Sequence, residues 1–176
     1  MLLRGDFLNN KQNLHIHSTY ADGKDAPEEM ILEAIKKGFD SIGFSEHSYM
    51  HFSDYPFQMT ISDTENYKKE IKSLKAKYKG QIDVFCGMEF EMFSEVPTDE
   101  FDYLIGSVHY LECNGKIIGF DRGLKETLEF LNNNFNANGI EFAKKYFETI
   151  ANLPSKGSFD IIGHFDLLTK NNEKGR

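Results

Sequence analysis

Most histidines of this sequence fall at or near the ends of segments that are predicted to be β-strands. Five of the six histidines follow this pattern, and one glutamate joins them in the set His15, His17, His47, Glu89, His109 and His164. Imidazoles with few carboxylates favour zinc, iron or manganese, because magnesium and calcium prefer shells made of oxygen. A single histidine at such a position more often bonds a backbone carbonyl, but the repetition indicates a shared metal cluster.

The first stretch with this chemistry covers residues 13–18 and is predicted to be a short strand. Side chains alternate across a strand, so Ile16 points away while His15 and His17 share one face. That spacing suits two ligands of one metal, and Asp22 follows a few residues later as a carboxylate. Burying many unpaired polar groups would cost roughly 1–3 kcal/mol for each group, and a metal cluster would remove that cost.

Strand and helix patterns alternate along the chain. Strands are predicted at residues 13–18, 41–47, 82–91, 103–109 and 159–164. Helices are predicted from Pro27 to Gly38, from a Ser62–Glu65 capping box to Tyr78, at 124–131, and at 140–153 after an Asn138 cap. An irregular loop covers 48–61, and a turn at Asn114-Gly115 and a loop at 119–123 precede the third helix. This alternation is typical of a parallel α/β sheet or barrel, whose C-terminal strand ends form the active-site face.

Length and composition restrict the class of protein. At 176 residues the chain suits one domain with a sizeable core, to which 16 phenylalanines contribute. The net charge of -8 argues against duplex nucleic acid as the main partner, because such binding needs clustered Lys and Arg.

The sequence lacks a signal-peptide pattern and a membrane-spanning apolar run, which predicts a cytoplasmic protein. Cys86 and Cys113 form no C-x-x-C pair, so His, Asp and Glu must bind any metal.

Five separated motifs resemble those of the polymerase and histidinol phosphatase (PHP) superfamily, over nearly the whole chain. In order, they are His15-x-His17 followed by Asp22-Gly23, then Ser45-Glu46-His47, Gly87-Met88-Glu89, Ser107-Val108-His109 and Gly163-His164-Phe165-Asp166. Within the superfamily the sequence is most similar to the histidinol-phosphate phosphatase branch. The resemblance implies a distorted (β/α)7 TIM-like barrel that holds two or three divalent ions of zinc, iron or manganese.

The resemblance also implies a set of ligands and a reaction. The implied ligands are His15 with His17 at one ion, His109 with His164 at a second ion, Glu89 as the bridge between them, and Asp22 with His47 at a third ion. The implied reaction is metal-assisted hydrolysis of a small phosphorylated substrate, namely L-histidinol phosphate in histidine biosynthesis. The ions activate water in such a reaction, so no side-chain nucleophile is needed.

Three further residues are candidates on weaker grounds. Arg122 is the one mid-chain residue among three arginines, so it is a candidate contact of the substrate phosphate, although a solvated loop arginine is the more frequent case. His51 either lines the pocket mouth or is an exposed loop residue. Glu91 shares a strand face with Glu89, and it either supports a ligand or lies just past the strand end.

The sequence departs from the family pattern near its C-terminal end. No Asp-x-His motif follows His164, and about five β/α units are visible where the family fold has seven. We therefore expect residues 1–176 to form a single PHP domain that lacks its C-terminal part. Two alternatives stay open, namely another PHP phosphoesterase, acting for example on a nucleotide, and a non-catalytic or inactive metal-binding fragment. The sequence also leaves self-association open.

Overall fold

Five parallel strands form a curled sheet that makes up half of a barrel. The structure, a computed structural model, describes residues 11–52 and 58–171. The strands of these ranges are β1 (Gln12–Asn13), β2 (Ser41–His47), β3 (Asp83–Glu91), β4 (Tyr103–Ser107), β5 (Tyr110–Cys113), β6 (Lys116–Gly119) and β7 (Ile161–Ile162). The sheet has the order β1-β2-β3-β4-β7, while β5 and β6 form an antiparallel hairpin. The predicted fold class, an incomplete TIM-like barrel, is confirmed.

Helices lie in most connections between strands of the sheet, except that a loop joins β3 to β4. They are α1 (Pro27–Lys36), α2 (Ile61–Lys77), α3 (Leu124–Phe135) and α4 (Gly139–Ala151), with single 3-10 turns at Leu153–Ser155 and Leu167–Thr169. Because the five strands are parallel and follow the chain order, their carboxyl ends lie at the same edge of the sheet. Among the described residues, no helix is both long enough and apolar enough to cross a lipid bilayer.

Polar side chains fix where two of the helices begin. The Thr60 hydroxyl accepts the backbone N–H of Asp63 at 3.1 Å, and the Asp63 carboxylate accepts the N–H of Thr60 at 3.1 Å. This reciprocal pair caps α2, so the predicted Ser62–Glu65 box is wrong. Thr60 has the extended backbone that a cap residue requires, whereas Ser62 already lies inside the helix. Asn138 caps α4 as predicted.

Residues of β2 and β3 alternate between a helix-facing layer and the inside of the half-barrel. Ile42, Phe44, Val84 and Met88 face the helices and are at most 2% exposed. They pack in one hydrophobic cluster with residues of α1 and α2 such as Ile31, Tyr67 and Ile71. This first cluster supports the two strands that carry His47 and Glu89.

Two glycines on the inner face of the sheet make room for an aromatic ring. Gly43 and Gly87 leave room for the side chain of Tyr103, which crosses from β4 towards β2. The Tyr103 hydroxyl lies 2.5 Å from the carbonyl oxygen of Leu14 and donates to it. The ring therefore connects the segment after β1 to the sheet.

The hairpin and the last two helices form a second hydrophobic cluster. Its buried members include Leu111, Phe120, Phe130, Phe142 and Tyr146. The sequence pattern predicts the turn of this hairpin but neither of its strands. Asn114 and Gly115 have φ angles of 52° and 74°, the pair of positive values that a two-residue hairpin turn of type I′ requires. The hairpin occupies the residues on both sides of the predicted turn, and the loop predicted at 119–123 follows it, between the end of β6 at Gly119 and residue 124.

Several predicted elements have different lengths in the structure. β1 ends at Asn13 instead of 18, β4 ends at Ser107 instead of 109, and β7 pairs only at Ile161 and Ile162 instead of 159–164. Helix α3 continues to Phe135, beyond the predicted end at 131. Residues 53–57 of the predicted 48–61 loop lie outside the described residues. Where the strands stop early, side-chain contacts position the residues that follow.

Replacing Gly87 by Ala should destabilise the fold by about 1–3 kcal/mol, the usual effect of overpacking a filled core. A Cβ atom at this position would lie 2.2 Å from the Tyr103 ring, so the ring or the strand must shift. Gly139→Ala is the matched control, because a Cβ there meets nothing within 4 Å. Urea unfolding followed by circular dichroism measures both variants. Equal stability of the two would contradict the packing around Tyr103.

Candidate metal centre

The carboxylate of Glu89 lies among imidazole rings at the carboxyl ends of the strands. Its side chain is 1% exposed and belongs to β3. The oxygen Oε1 lies 2.9 Å from Nε2 of His164, 3.2 Å from Nε2 of His15 and 3.6 Å from Nε2 of His109. Ligand atoms of His15, Glu89 and His164 lie within 4.8 Å of one another, which is close enough to share one cation.

The second oxygen of Glu89 faces two further histidines. Oε2 lies 3.0 Å from Nδ1 of His47 and 3.2 Å from Nε2 of His17. These three residues form a second group whose ligand atoms lie within 4.8 Å of one another. Asp22 Oδ1 lies 2.6 Å from Nδ1 of His17 and 3.8 Å from Nε2 of His47. Asp22 therefore contacts the His17 ring on the side away from Glu89.

The structure brings all seven of the predicted ligands into one cluster. The resemblance places His15 and His17 on one ion, whereas in the structure His15 faces Oε1 of Glu89 and His17 faces Oε2. The assignment of ligands to individual ions stays a prediction. The shared feature of both arrangements is Glu89, whose two oxygens contact separate groups of imidazoles.

Strand register and short connections place the ligands. His47 and Glu89 are directly paired across β2 and β3, so their side chains project from neighbouring strands on the same face. His109 follows the last residue of β4 by two positions, and His164 follows the last residue of β7 by two positions. These residues lie at the edge of the sheet where the parallel strands end, which is the location that the sequence predicts.

The segment that carries His15 and His17 is not a strand, so sheet pairing does not hold it. A buried carboxylate positions it instead. The backbone N–H of Ser18 donates to both oxygens of Glu46 at 2.9 and 3.1 Å, and its hydroxyl donates to one of them at 2.6 Å. Ser45 N–H also donates to the carbonyl oxygen of Ile16 at 2.9 Å. Glu46 is fully buried, and the sequence analysis assigned it no role. Glu46 shares the strand face of Ile42 and Phe44 in β2, which indicates that its carboxylate is buried and needs a hydrogen-bond partner.

Two residues near Glu89 contact the cluster without belonging to the predicted ligand set. The hydroxyl of Ser107 donates to Oε1 of Glu89 at 2.7 Å. Glu91 is 3% exposed, and its Oε2 lies 2.9 Å from Nδ1 of His109. Ser107 and Glu91 pair across β3 and β4, so the inward-facing parity of these strands could have indicated Ser107. Glu91, a candidate already from its strand face, is the last residue of β3 and contacts a predicted ligand, which matches the first of its two expected positions.

Burial and opposite charge together set the protonation of the cluster. Burial alone would lower the pKa of His17 and His47, but the carboxylates of Asp22 and Glu89 raise the pKa of His17 to about 9 and that of His47 to about 10. Burial would raise the pKa of Glu89, but the surrounding imidazoles hold that pKa well below its ordinary value. The carboxylates thus keep protons on His17 and His47 at neutral pH, and a metal cation must displace these protons.

The donor atoms fit a bound cation. Nε2 of His17 and Oε2 of Glu89 are buried, yet neither forms a hydrogen bond with any part of the chain that the structure describes. Buried polar atoms are normally satisfied, and such exceptions at a cluster of imidazoles are expected where an ion binds. Five imidazoles and one buried carboxylate are a donor set suited to zinc, iron or manganese.

The cluster opens into a cavity of 670 Å³. Asp121, Arg122 and Lys170 also line this cavity, and Lys170 Nζ lies 2.9 and 3.0 Å from the two carboxylate oxygens of Asp121. Arg122 thus lines the cavity beside the cluster, and its contact with a substrate phosphate stays a prediction. His51 does not line this cavity; its ring is 62% exposed and lies 3.8 Å from Glu95, which matches the second of its two expected positions.

Comparison with protein families identifies the chain. The model of the PHP domain matches residues 13–176. This chain belongs to the PHP domain family. The match confirms the family that the five motifs indicate, and it includes every residue of the Glu89 cluster.

Four of the five curated relatives that the chain matches are named histidinol-phosphatase or probable histidinol-phosphatase, and the fifth is named DNA polymerase/3'-5' exonuclease PolX, of Bacillus subtilis. A "probable histidinol-phosphatase" of Deinococcus radiodurans is 30% identical over 168 residues, which is 89% of this chain and 60% of that protein. The chain spans between 18% and 60% of the length of the five curated relatives that it matches.

Solved structures share the fold of this PHP domain. A protein of Listeria monocytogenes matches 93% of this chain and 70% of its own, with a TM-score of 0.74 and 21% identity. Histidinol phosphate phosphatase of Lactococcus lactis, solved with zinc, L-histidinol and phosphate, matches 92% of this chain and 60% of its own, with a TM-score of 0.61 and 22% identity. At these identities, the likeness shows the fold.

The chain freed of metal by a chelator should lose stability as the pH rises from about 6.5 to 10. His17 and His47 have a pKa of about 9 and about 10 in the folded chain, against an ordinary value of 6.5. The folded chain therefore binds more protons than the unfolded chain in this range, and each such proton lowers the free energy of unfolding by up to about 1.4 kcal/mol per pH unit.

Urea unfolding between pH 6 and 10 in the presence of the chelator measures this slope. His47→Gln should flatten it, whereas His51→Gln should leave it unchanged, because His51 is exposed and lies outside the cavity. A free energy of unfolding that stays level or rises from pH 7 to pH 9 in the unmodified chain would contradict the description of the cluster.

Proposed function

We propose that the Glu89 cluster hydrolyses phosphate monoesters with two or three divalent ions of zinc, iron or manganese, and that its substrate is L-histidinol phosphate. The observation that carries the proposal is the buried Glu89 carboxylate with five imidazole nitrogens between 2.9 and 3.6 Å from it. The names of the relatives and the zinc, L-histidinol and phosphate bound to the Lactococcus protein support the choice of substrate.

In this proposal, the residues that hold the ions are those predicted from the motifs. They are His15, His17, Asp22, His47, Glu89, His109 and His164. Bound ions supply positive charge opposite the phosphate oxygens and lower the pKa of water, so the chain needs no side-chain nucleophile. Ser107 keeps the Glu89 carboxylate in place by donating to Oε1 at 2.7 Å.

The cavity beside the cluster would receive the substrate. Its volume of 670 Å³ suits a small phosphorylated molecule, and the net charge of -8 disfavours a long polyanion. Arg122 would orient the phosphate, because a guanidinium donates hydrogen bonds in a planar fork that matches the oxygens of a phosphate group.

We also propose that residues 1–176 are one PHP domain that lacks its C-terminal part. This agrees with the coverage of the two solved neighbours, because the chain matches 70% of one and 60% of the other.

Elemental analysis of the purified chain, together with phosphate release from histidinol phosphate and from a panel of other monoesters, tests the proposal. Two or more ions per chain and a preference for histidinol phosphate are expected. Removal of the metal by a chelator should abolish phosphate release, and adding zinc, iron or manganese should restore it. Equal turnover of all monoesters would favour another PHP phosphoesterase, and bound metal without any turnover would favour an inactive metal-binding domain.

Glu89→Gln should lose bound metal and with it at least about 100-fold in phosphate release, because a neutral amide cannot offset two cations at a buried site. Glu112→Gln is the matched control, since Glu112 is an exposed glutamate on β5 outside the cavity. Full metal content in Glu89→Gln would remove this residue from the metal centre.

Arg122→Ala should raise KM for the phosphate monoester by about 10–100-fold, because hydrogen bonds between charged groups contribute roughly 1.5–3 kcal/mol. Steady-state kinetics measure the change, and Arg122→Lys should recover part of it. Lys116→Ala, which removes an exposed charge from β6, is the control and should leave KM unchanged. An unchanged KM in Arg122→Ala would show that another group contacts the phosphate.

A further inference from the structure

Glu91 is a buried carboxylate that the ligand set does not use. It is 3% exposed at the end of β3, two residues after Glu89 and on the same strand face. Its Oε2 accepts the backbone N–H of His109 at 2.9 Å and lies 2.9 Å from Nδ1 of the same residue. One carboxylate oxygen therefore contacts both the backbone and the ring of a proposed ligand.

The contact with Nδ1 determines which ring nitrogen carries the proton. An ionised carboxylate only accepts hydrogen bonds, so Nδ1 of His109 must donate. In a neutral imidazole, the lone pair then resides on Nε2. Nε2 is the atom that lies 3.2 Å from Nε2 of His164 and 3.6 Å from Oε1 of Glu89. Glu91 therefore directs the free lone pair of His109 towards the metal centre.

The backbone contact replaces sheet pairing at a place where the strand has already ended. β4 stops at Ser107, so His109 has no strand pairing to hold it. Its N–H donates to Glu91 instead, and its carbonyl oxygen accepts the N–H of Phe120 at 3.1 Å. The backbone of His109 is thus fixed on both sides before any ion binds.

Glu91 is itself held in place by the loop after β2. Its backbone N–H donates to the hydroxyl of Ser48 at 3.0 Å, and the N–H of Ser48 donates to the carbonyl oxygen of Glu89 at 3.0 Å. The other carboxylate oxygen, Oε1, is buried and has no hydrogen-bond partner within residues 11–52 and 58–171. Burying a charged group with incomplete pairing is unfavourable for stability, which points to a functional reason for this side chain.

We propose that Glu91 is a positioning residue that fixes His109 in its Nδ1-protonated form and aims Nε2 at the metal centre. The inference rests on the proposed function, because it takes His109 to be a metal ligand. Carboxylates that hold the outer nitrogen of a ligating histidine also raise the basicity of the ligating nitrogen. Loss of such a partner typically reduces metal affinity by about 10–100-fold.

The test measures zinc affinity by competition with a chelator, and the tautomer of the His109 ring by ¹⁵N NMR of the metal-free chain. Glu91→Ala should bind zinc about 10–100-fold more weakly and should lose the Nδ1-protonated form of His109. Glu91→Gln keeps an oxygen that accepts hydrogen bonds but loses the charge, so its zinc affinity should lie between those of Glu91→Ala and the unmodified chain. Ser94→Ala is the control for stability alone, because it removes a buried hydrogen bond of 2.8 Å to the Tyr49 carbonyl oxygen and should keep full zinc affinity.

Unchanged zinc affinity or an unchanged His109 tautomer in folded Glu91→Ala would overturn the inference. If Glu91→Ala does not fold, Glu91→Gln decides: weaker zinc binding supports the inference, and unmodified affinity overturns it. Neither measurement involves substrate. If the unmodified chain binds zinc but releases no phosphate from histidinol phosphate, the proposed function fails while the role of Glu91 stands.

Discussion

The structure depends on one carboxylate that is both charged and buried. Glu89 is 1% exposed, and an isolated charge there would cost several kcal/mol, so positive or polar partners must surround it. Five imidazoles provide these partners, two from the segment after β1 and three from the ends of β2, β4 and β7. The same groups that make the buried charge tolerable are therefore the groups that can bind metal.

Most of the chain that surrounds this charge serves to bring the imidazoles to it. Parallel strands bring His47 and Glu89 side by side, because their register is set by the apolar layer beneath them. The remaining histidines follow strands that have already ended, where the sheet no longer determines position. Buried carboxylates take over there, with Glu46 holding Ser18 beside His17 and Glu91 holding His109.

The sequence was sufficient to predict the parts of the fold that depend on local pattern. β2 has the predicted bounds, because Ile42 and Phe44 alternate with small or polar residues, and Glu46 is the one polar residue in their register. Each histidine of the cluster was also identified, since its type and its place near a strand end are both visible in the chain. The contact of Glu46 with Ser18 was not predictable in this way, because it joins residues 28 positions apart whose approach depends on how the half-barrel curls. The hairpin strands were missed because each has only four residues, too few for a periodic pattern.

The metal centre also lies at the junction of two hydrophobic clusters. His47 and Glu89 project from strands packed against α1 and α2, whereas His109 and His164 flank the second cluster, which includes the hairpin, α3 and α4. Among the described residues, Phe159 packs against both clusters and connects them. A cation bound to ligands from both sides would join the two cores into one cooperative folding unit. Metal binding in this domain would then determine whether the two hydrophobic clusters unfold together or separately, in addition to its chemical role at the site.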